Sequence, residues 1–153
     1  MRKLQLLRQA IIDANPSLQR DPDQLLTFIE QGSIRFHVGE DVDNLSHQYT
    51  FTAQIVLLEF GGDVDAIIVP LLRWLSIYEP GLAPDDAVTF EAEVVKNNAV
   101  DLVLSVQLTE RVVVYRNDQG AYVVEHRDDP RALEDYGPRN WQLIIQHNPN
   151  GRQ

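Results

Sequence analysis

The chain has 153 residues, which is enough for one domain of ordinary size with a substantial core. Its 13 Lys and Arg against 23 Asp and Glu give a formal net charge of −10, which argues against nucleic acid or an anionic membrane as a partner surface. Cysteine is absent, so disulfides and thiolate chemistry are excluded.

The N-terminal stretch, residues 2–14, predicts an amphipathic helix that ends at Asn15-Pro16. Its apolar face is formed at three- and four-residue steps by Leu4, Leu7, Ile11 and Ala14. Because charged residues interrupt this stretch, it lacks the continuous apolar core of a signal peptide. We therefore expect the protein in a bacterial cytoplasm.

Strands are predicted next. Residues 25–30 read as a short strand, Gln31-Gly32-Ser33 as a turn, and residues 34–38 as the returning strand. After an acidic loop, residues 47–60 predict a long strand whose apolar face carries Tyr49, Phe51, Ala53, Ile55 and Leu57.

The most apolar stretch of the chain, residues 63–79, predicts a core helix lying across the sheet. Seven residues share one side of that helix: Val64, Ile67, Ile68, Leu71, Leu72, Leu75 and Tyr78. Pro70 is unfavourable in a helix interior. Either the regular helix starts near Val69, or residues 64–69 form a kinked first turn.

Two hairpins follow. Residues 88–94 and 102–108 alternate around a turn at Asn97-Asn98, and residues 112–116 and 121–125 flank a second turn at 117–120. Between them, Glu110 continues the register of Leu108 and would point toward the apolar face, where a carboxylate needs a partner. The alternative is a bend at Thr109 that leaves Glu110 and Arg111 solvated.

A C-terminal extension, residues 130–153, follows the single domain expected over residues 1–129. Trp141, Leu143 and Ile145 alternate as in a strand, and Ile144 adds a fourth large apolar side chain. Such side chains should be buried. They could dock on their own domain as an added edge strand, or on a neighbouring molecule as a strand added in trans.

Together these elements predict an α+β fold, with an antiparallel or mixed sheet of about six strands and two helices packed on one face.

Chemistry-bearing motifs are missing from the sequence. His37, His47, His126 and His147 have no metal-site spacing, and no phosphate-binding glycine loop or nucleophile motif is present. The carboxylates of Glu91 and Glu93, and those of Asp85-Asp86, could imitate an acid/base or calcium site, but a solvated sheet face and a loop explain them equally well. We expect no catalytic residues, no metal and no cofactor.

Several stretches, in order, resemble one protein family. They are MRKLQLLRQAIIDANPSLQRDPDQLLTFIEQG, YTFTAQIVLLEFGGD, AIIVPLLRWL, FEAEVVKNNAVDLVLSVQLTERVVV and VVEH. Their order and spacing over residues 1–127 resemble the tail completion protein R (GpR-like) family of contractile-tailed temperate phages and tail-like bacteriocins. The part from Asp128 onward does not clearly match.

The resemblance implies a structural protein, not an enzyme. Proteins of this kind are similar in role to tail terminators, which are α+β proteins that form hexameric rings on the finished tail tube and sheath. Such a ring stops polymerisation and presents a surface for the head connector. The implied location is the virion tail, reached from the host cytoplasm, with no sequence-specific nucleic acid and no membrane as partner.

A ring needs contact surfaces between its subunits or with the tail. The candidates are the hairpin exit and the C-terminal extension: Thr109, Glu110, Arg111, Trp141, Leu143 and Ile145. Two other functions stay open. One is a small-ligand-binding or enzymatic α+β domain with a pocket between helix and sheet. The other is a monomeric assembly chaperone.

Overall fold

A computed structural model describes residues 1–83, 85, 87–128 and 141–147. The helices in this part of the chain are α1 (Arg2–Asp13), α2 (Pro16–Arg20), a 3-10 turn (Pro22–Gln24) and α3 (Asp65–Tyr78). The strands are β1 (Leu25–Phe36), β2 (His47–Phe60), β3 (Val88–Lys96), β4 (Ala99–Arg116) and β5 (Tyr122–Arg127).

The five strands form one antiparallel sheet in the order β1-β2-β4-β3, with β5 also paired to β4. Val112 of β4 pairs with β2 and with β5, so β5 lies on the edge of β4 opposite β2, the same edge as β3. The α+β class is confirmed. Within the described residues the details differ from the prediction. The sheet has five strands where about six were predicted, and α2 is a third α-helix where two helices were predicted.

The predicted turn at Gln31-Gly32-Ser33 is wrong. β1 runs straight through these residues and pairs with β2 along its whole length, with one irregularity between Ile29 and Gln31. Gly32 lies opposite Phe51, and a Cβ atom there would lie 3.0 Å from the Phe51 Cβ. This glycine therefore permits a close approach of two strands instead of a reversal of the chain.

The core lies between α1, α3 and one face of β2 and β4. Its buried members include Leu7, Ile11, Leu71, Ile55 and Leu104. The opposite face of these two strands is half-buried or exposed in the described structure. The two long helices therefore cover one face of the sheet.

Helix α3 begins at Asp65 and continues through Pro70, which is buried in its interior. The predicted start near Val69 is therefore wrong, whereas residues 65–69 are helical, as the alternative of a first turn over residues 64–69 requires. The buried side also differs from the predicted one, because Leu72 is 46% exposed whereas Trp74 is 6% exposed. Trp74 is buried because α3 packs against α1 as well as against the sheet.

Both predicted hairpins are confirmed. β3 and β4 pair around Asn97-Asn98, and β4 and β5 pair around the turn at 117–120. In the second turn the Asn117 side-chain oxygen accepts hydrogen bonds from the backbone N–H groups of Gln119 and Ala121. Gly120 has a φ of +77°, a conformation that glycine adopts without strain.

Residues 141–147 are not a strand, so the predicted added edge strand is wrong for this segment. Trp141 and Leu143 instead line a groove together with residues of α1 and α3. The Arg73 guanidinium lies 5.1 Å from the centre of the Trp141 ring. Ile144 is exposed, so its burial on its own domain is wrong, and burial against a neighbouring molecule stays a prediction. The predicted boundary at 129/130 and the connection at 136–138 lie outside the described residues.

None of the helices in the described residues combines the length and apolar character needed to span a membrane.

Candidate functional site

Two of the predicted interface residues, Thr109 and Glu110, belong to a group of charged and polar side chains beneath the start of α1. The group consists of Lys3, Glu79, Thr109 and Glu110, and we refer to it as the buried polar cluster. Lys3, Glu79 and Glu110 are all buried, although their types are rarely buried without partners. Their contacts therefore decide what the cluster does.

Glu79 follows the last residue of α3 and fills a gap in the sheet. On the edge of β4 opposite β2, β3 begins opposite Val106 and β5 ends opposite Arg111. Between them, the Glu79 carboxylate accepts hydrogen bonds from the Thr109 backbone N–H at 2.9 Å and from the Thr109 hydroxyl at 2.8 Å. A side chain thus takes the place of the missing strand partner.

Lys3 connects the start of α1 to the end of α3. Its ammonium group donates to the Glu79 carboxylate at 2.9 Å and to the Tyr78 carbonyl oxygen at 3.1 Å. A cation at the C-terminal end of a helix is also favoured by the helix dipole. Lys3 continues the i, i+4 series of Leu7 and Ile11 on the buried side of α1, which explains why its stem is inside.

Glu110 points into the protein and is fully buried, so the predicted bend at Thr109 is wrong. β4 continues straight because its alternation holds Glu110 between Leu108 and Val112 on the core face. The Glu110 Oε1 accepts a hydrogen bond from the Lys3 backbone N–H at 2.7 Å. The carboxylate therefore satisfies one of the free N–H groups at the start of α1, where Met1 provides no side-chain cap.

The second oxygen of Glu110, Oε2, has no hydrogen-bond partner among the described residues. It lies 3.3 Å from Nδ1 of His126, which follows Val124 and Glu125 on β5. Beside it, Arg2 forms an ion pair of 2.7 Å with Asp128. These contacts attach the start of α1 to β5 as well as to β4.

The contacts of the cluster are those of a structural clamp, a group that holds elements of the fold together, and not those of a reaction centre. Both oxygens of Glu79 and the Oε1 oxygen of Glu110 are already engaged by donors of the chain itself. Among the residues that the structure describes, no group of three or more His, Asp or Glu side chains could hold a metal ion. What the arrangement can do is hold α1, α3 and the centre of β4 in one geometry.

The other predicted interface residues lie elsewhere. Arg111 is exposed, next to the buried Glu110 on β4. Trp141 and Leu143 line the groove between α1 and α3, and Ile145 is half-buried. Sequence reasoning missed Lys3 and Glu79. The signal for Lys3 was its position on the apolar face of α1, whereas Glu79 looked like an ordinary loop residue.

A second contact holds the C-terminal segment. His147 Nε2 lies 2.8 Å from Oδ2 of Asp63, just before α3. The backbone N–H of Asp65 donates to the other Asp63 oxygen at 2.9 Å. That hydrogen bond, and to a smaller extent His147, lowers the pKa of Asp63 below its ordinary value.

Comparison with known proteins gives two matches. The family of P2 phage tail completion protein R (GpR) matches residues 1–130. Tail completion protein R of Escherichia phage P2 is 33% identical over 139 residues, covering 88% of this chain and 87% of the relative. The resemblance inferred from the quoted stretches is thereby confirmed. No solved structure matches significantly, so the expected similarity to tail terminator folds stays a prediction.

Proposed function

This chain belongs to the P2 phage tail completion protein R (GpR) family, and from that premise we propose that it caps the head-proximal end of the tail. The chain is a structural protein of the phage tail and works with other tail components. In the proposed role it completes the tube and sheath, stops their polymerisation and prepares the tail for joining to the head. The match over residues 1–130 carries this proposal.

A cap of this kind is a closed ring, for which we expect six copies. The net charge of −10 is compatible with a ring through which DNA passes, because like charge prevents DNA from adhering to the wall. Its partners would be the tube and sheath proteins on one side and the head connector on the other. The interface candidates from the sequence that remain accessible are Thr109, Arg111, Trp141, Leu143 and Ile145.

An enzymatic or ligand-binding function is less well supported. The groove between α3 and β3 is lined mostly by apolar side chains, among them Ile68, Leu72 and Val88. Glu79 is the one carboxylate among the described lining residues, and it is hydrogen-bonded to Lys3 and Thr109. Among the described residues that line this groove, no carboxylate is therefore free to act as acid or base.

Deletion of the gene from its phage, followed by electron microscopy, tests the proposal. We expect tails whose tube or sheath length is uncontrolled and which carry no heads, and we expect purified protein to restore head joining. A gold-labelled antibody should bind at the head-proximal end. Normal particles without the protein would contradict the cap. Its absence from purified tails would favour an assembly chaperone.

A further inference from the structure

Both outermost strands of the sheet expose large apolar side chains. β1 and β3 each pair with only one described strand, so each presents an outer edge. On β1, Ile34 is 59% and Phe36 is 63% exposed; on β3, Phe90 is 68% and Val94 is 75% exposed. Long apolar edges favour pairing with another chain, and monomeric proteins usually protect them.

The four side chains lie on the same face of the sheet. Ile34 pairs with Tyr49, which pairs with Glu110, and directly paired residues share a face. Phe90 pairs with Leu104 and therefore lies on that core-side face as well. By the two-residue period, Phe36 and Val94 also point to this face. Both edges are therefore apolar on the side that the helices cover.

On the face of the sheet away from the helices, the β1 edge and the β3 edge carry charges of opposite sign. Arg35 lies between Ile34 and Phe36 and points away from the helices. On β3, Glu91 and Glu93 point to this same face. All three side chains are exposed. The two edges thus match on both faces, apolar against apolar and cation against anions.

We propose that the second half of β1, which contains Ile34, Arg35 and Phe36, pairs in one copy with the free edge of β3 in the next copy. The sheet then continues from subunit to subunit. This contact rests on the proposed ring and names the surface that builds it. β1 is antiparallel to β2, β2 to β4 and β4 to β3, so β1 and β3 of one chain run in opposite directions. A neighbour in the same orientation therefore presents its β1 antiparallel to β3.

Two registers satisfy both faces. If Arg35 lies opposite Glu91, Phe36 meets Phe90 and Ile34 meets Ala92 of the neighbour. If Arg35 lies opposite Glu93, the apolar pairs become Phe36 with Ala92 and Ile34 with Val94. In the register midway between these two, β1 is shifted by one residue along β3. Every side chain of β1 would then point to the wrong face of the neighbour's sheet.

The groove between α3 and β3 gives the incoming strand further apolar surface. Phe90 forms one wall of this groove, and the half-exposed Leu72 of α3 forms another. In either register the neighbour's Phe36 points to the same side of the sheet as this groove. Burial of Phe36 and Ile34 there adds hydrophobic stabilisation to the backbone hydrogen bonds of the added strand.

The contact is head-to-tail, because the β1 edge and the β3 edge are different surfaces. Contacts of this type generate a ring when the rotation between subunits closes. A symmetric dimer would instead bury the same surface twice and leave the other edge open. The two edges thus account for a cyclic assembly from one kind of contact.

Cysteine cross-linking tests the contact, since the chain has no cysteine of its own. The double variant Ser33→Cys with Glu93→Cys reports the first register, and Ser33→Cys with Val95→Cys reports the second. After oxidation, one of them should give a ladder of disulfide-linked multimers on a non-reducing gel, reversible by reductant. The matched control pairs Ser33→Cys with Ser17→Cys on α2. If neither test variant gives a longer ladder than the Ser33→Cys, Ser17→Cys control, the proposed contact is wrong.

Charge reversal provides a second test. Arg35→Glu places like charges on the two edges and should weaken self-association roughly tenfold or more. Combining it with Glu91→Lys and Glu93→Lys should restore association. Arg20→Glu, an exposed position on α2, makes the same charge change away from the edges and should have little effect. Sedimentation velocity at several concentrations measures the result. Equal weakening by Arg20→Glu and Arg35→Glu would contradict the proposal.

Failure of the contact and failure of the cap give different results. If the unsubstituted chain caps tails and Arg35→Glu caps them equally well, the cap stands and the contact is wrong. If the cysteine variants form ladders but the unsubstituted chain never binds tail ends, the contact stands and the cap is wrong.

Discussion

The side-chain amide of Asn15 replaces the hydrogen bond that Pro70 removes from α3. Pro70 has no N–H, so the carbonyl oxygen of Ala66, four residues earlier, loses its helical donor. Nδ2 of Asn15 lies 2.9 Å from that oxygen and also donates to the Ile11 carbonyl oxygen at 2.8 Å. One buried amide thus joins the end of α1 to the proline-containing turn of α3.

Removal of this amide should destabilise the protein. We expect Asn15→Ala to lower the free energy of unfolding by about 1–3 kcal/mol, because the Ala66 carbonyl is then left without a donor. In a Pro70→Ala background the restored N–H can bond to Ala66, so Asn15→Ala should cost less there. Urea unfolding of the unsubstituted chain, the two single variants and the double variant measures the difference. Equal costs in both backgrounds would contradict the compensation between Asn15 and Pro70.

Within the buried polar cluster, loss of one charge should be costly. Lys3→Met removes the cation from the buried Glu79 carboxylate, and we expect a loss of about 3–5 kcal/mol in unfolding free energy. Glu40→Gln, which alters an exposed carboxylate in the loop after β1, should change stability by less than about 0.5 kcal/mol. Chemical denaturation of both variants checks this. A Lys3→Met variant as stable as the unsubstituted chain would show that the cluster is not a clamp.

Glu110 can be tested separately through its hydrogen bond. Glu110→Ala leaves the Lys3 backbone N–H without an acceptor and should destabilise the protein by about 1–3 kcal/mol. Glu110→Gln keeps an acceptor oxygen of similar shape and should cost less. Hydrogen exchange of the Lys3 amide should accelerate in Glu110→Ala more than in Glu110→Gln. The reverse order would be inconsistent with the observed bond.

Asp63 should titrate below 3.8, its ordinary pKa. A lowered folded-state pKa means that its stabilising contribution is present above that ordinary value and is lost as the pH falls through the folded pKa. His147→Ala should raise the pKa of Asp63 only partly, because the Asp65 backbone N–H remains the larger cause. NMR titration of the carboxyl carbon measures both values. A pKa unaffected by His147→Ala would contradict the contact between the two side chains.

The C-terminal segment should contribute little to stability through Trp141. That ring is partly exposed and lies under Arg73, a geometry worth about 0.5–1 kcal/mol at an exposed site. Trp141→Ala and Arg73→Ala should each lower stability by about that amount, and the double variant by less than the sum of the two. Full additivity, measured by thermal unfolding, would show that the two side chains do not interact.

Local patterns in the sequence determined much of the fold. The alternation in β2, the Asn97-Asn98 turn and the first helix all follow from residues close in the chain, because side-chain period and turn chemistry act over a few residues. The family resemblance came from the order of such segments. Even the inward direction of Glu110 could be predicted from its register with Leu108.

Tertiary contacts decided the rest. Gln31-Gly32-Ser33 has the composition of a turn, yet pairing with β2 and the close approach to Phe51 keep β1 straight. Lys3 and Glu79 are 76 residues apart in the chain, and no local pattern links them. Pro70 is tolerated inside α3 because Asn15, 51 residues from Ala66, supplies the missing donor. Hydrogen-bond satisfaction in a buried site depends on three-dimensional neighbours, and only the folded chain determines which residues those are.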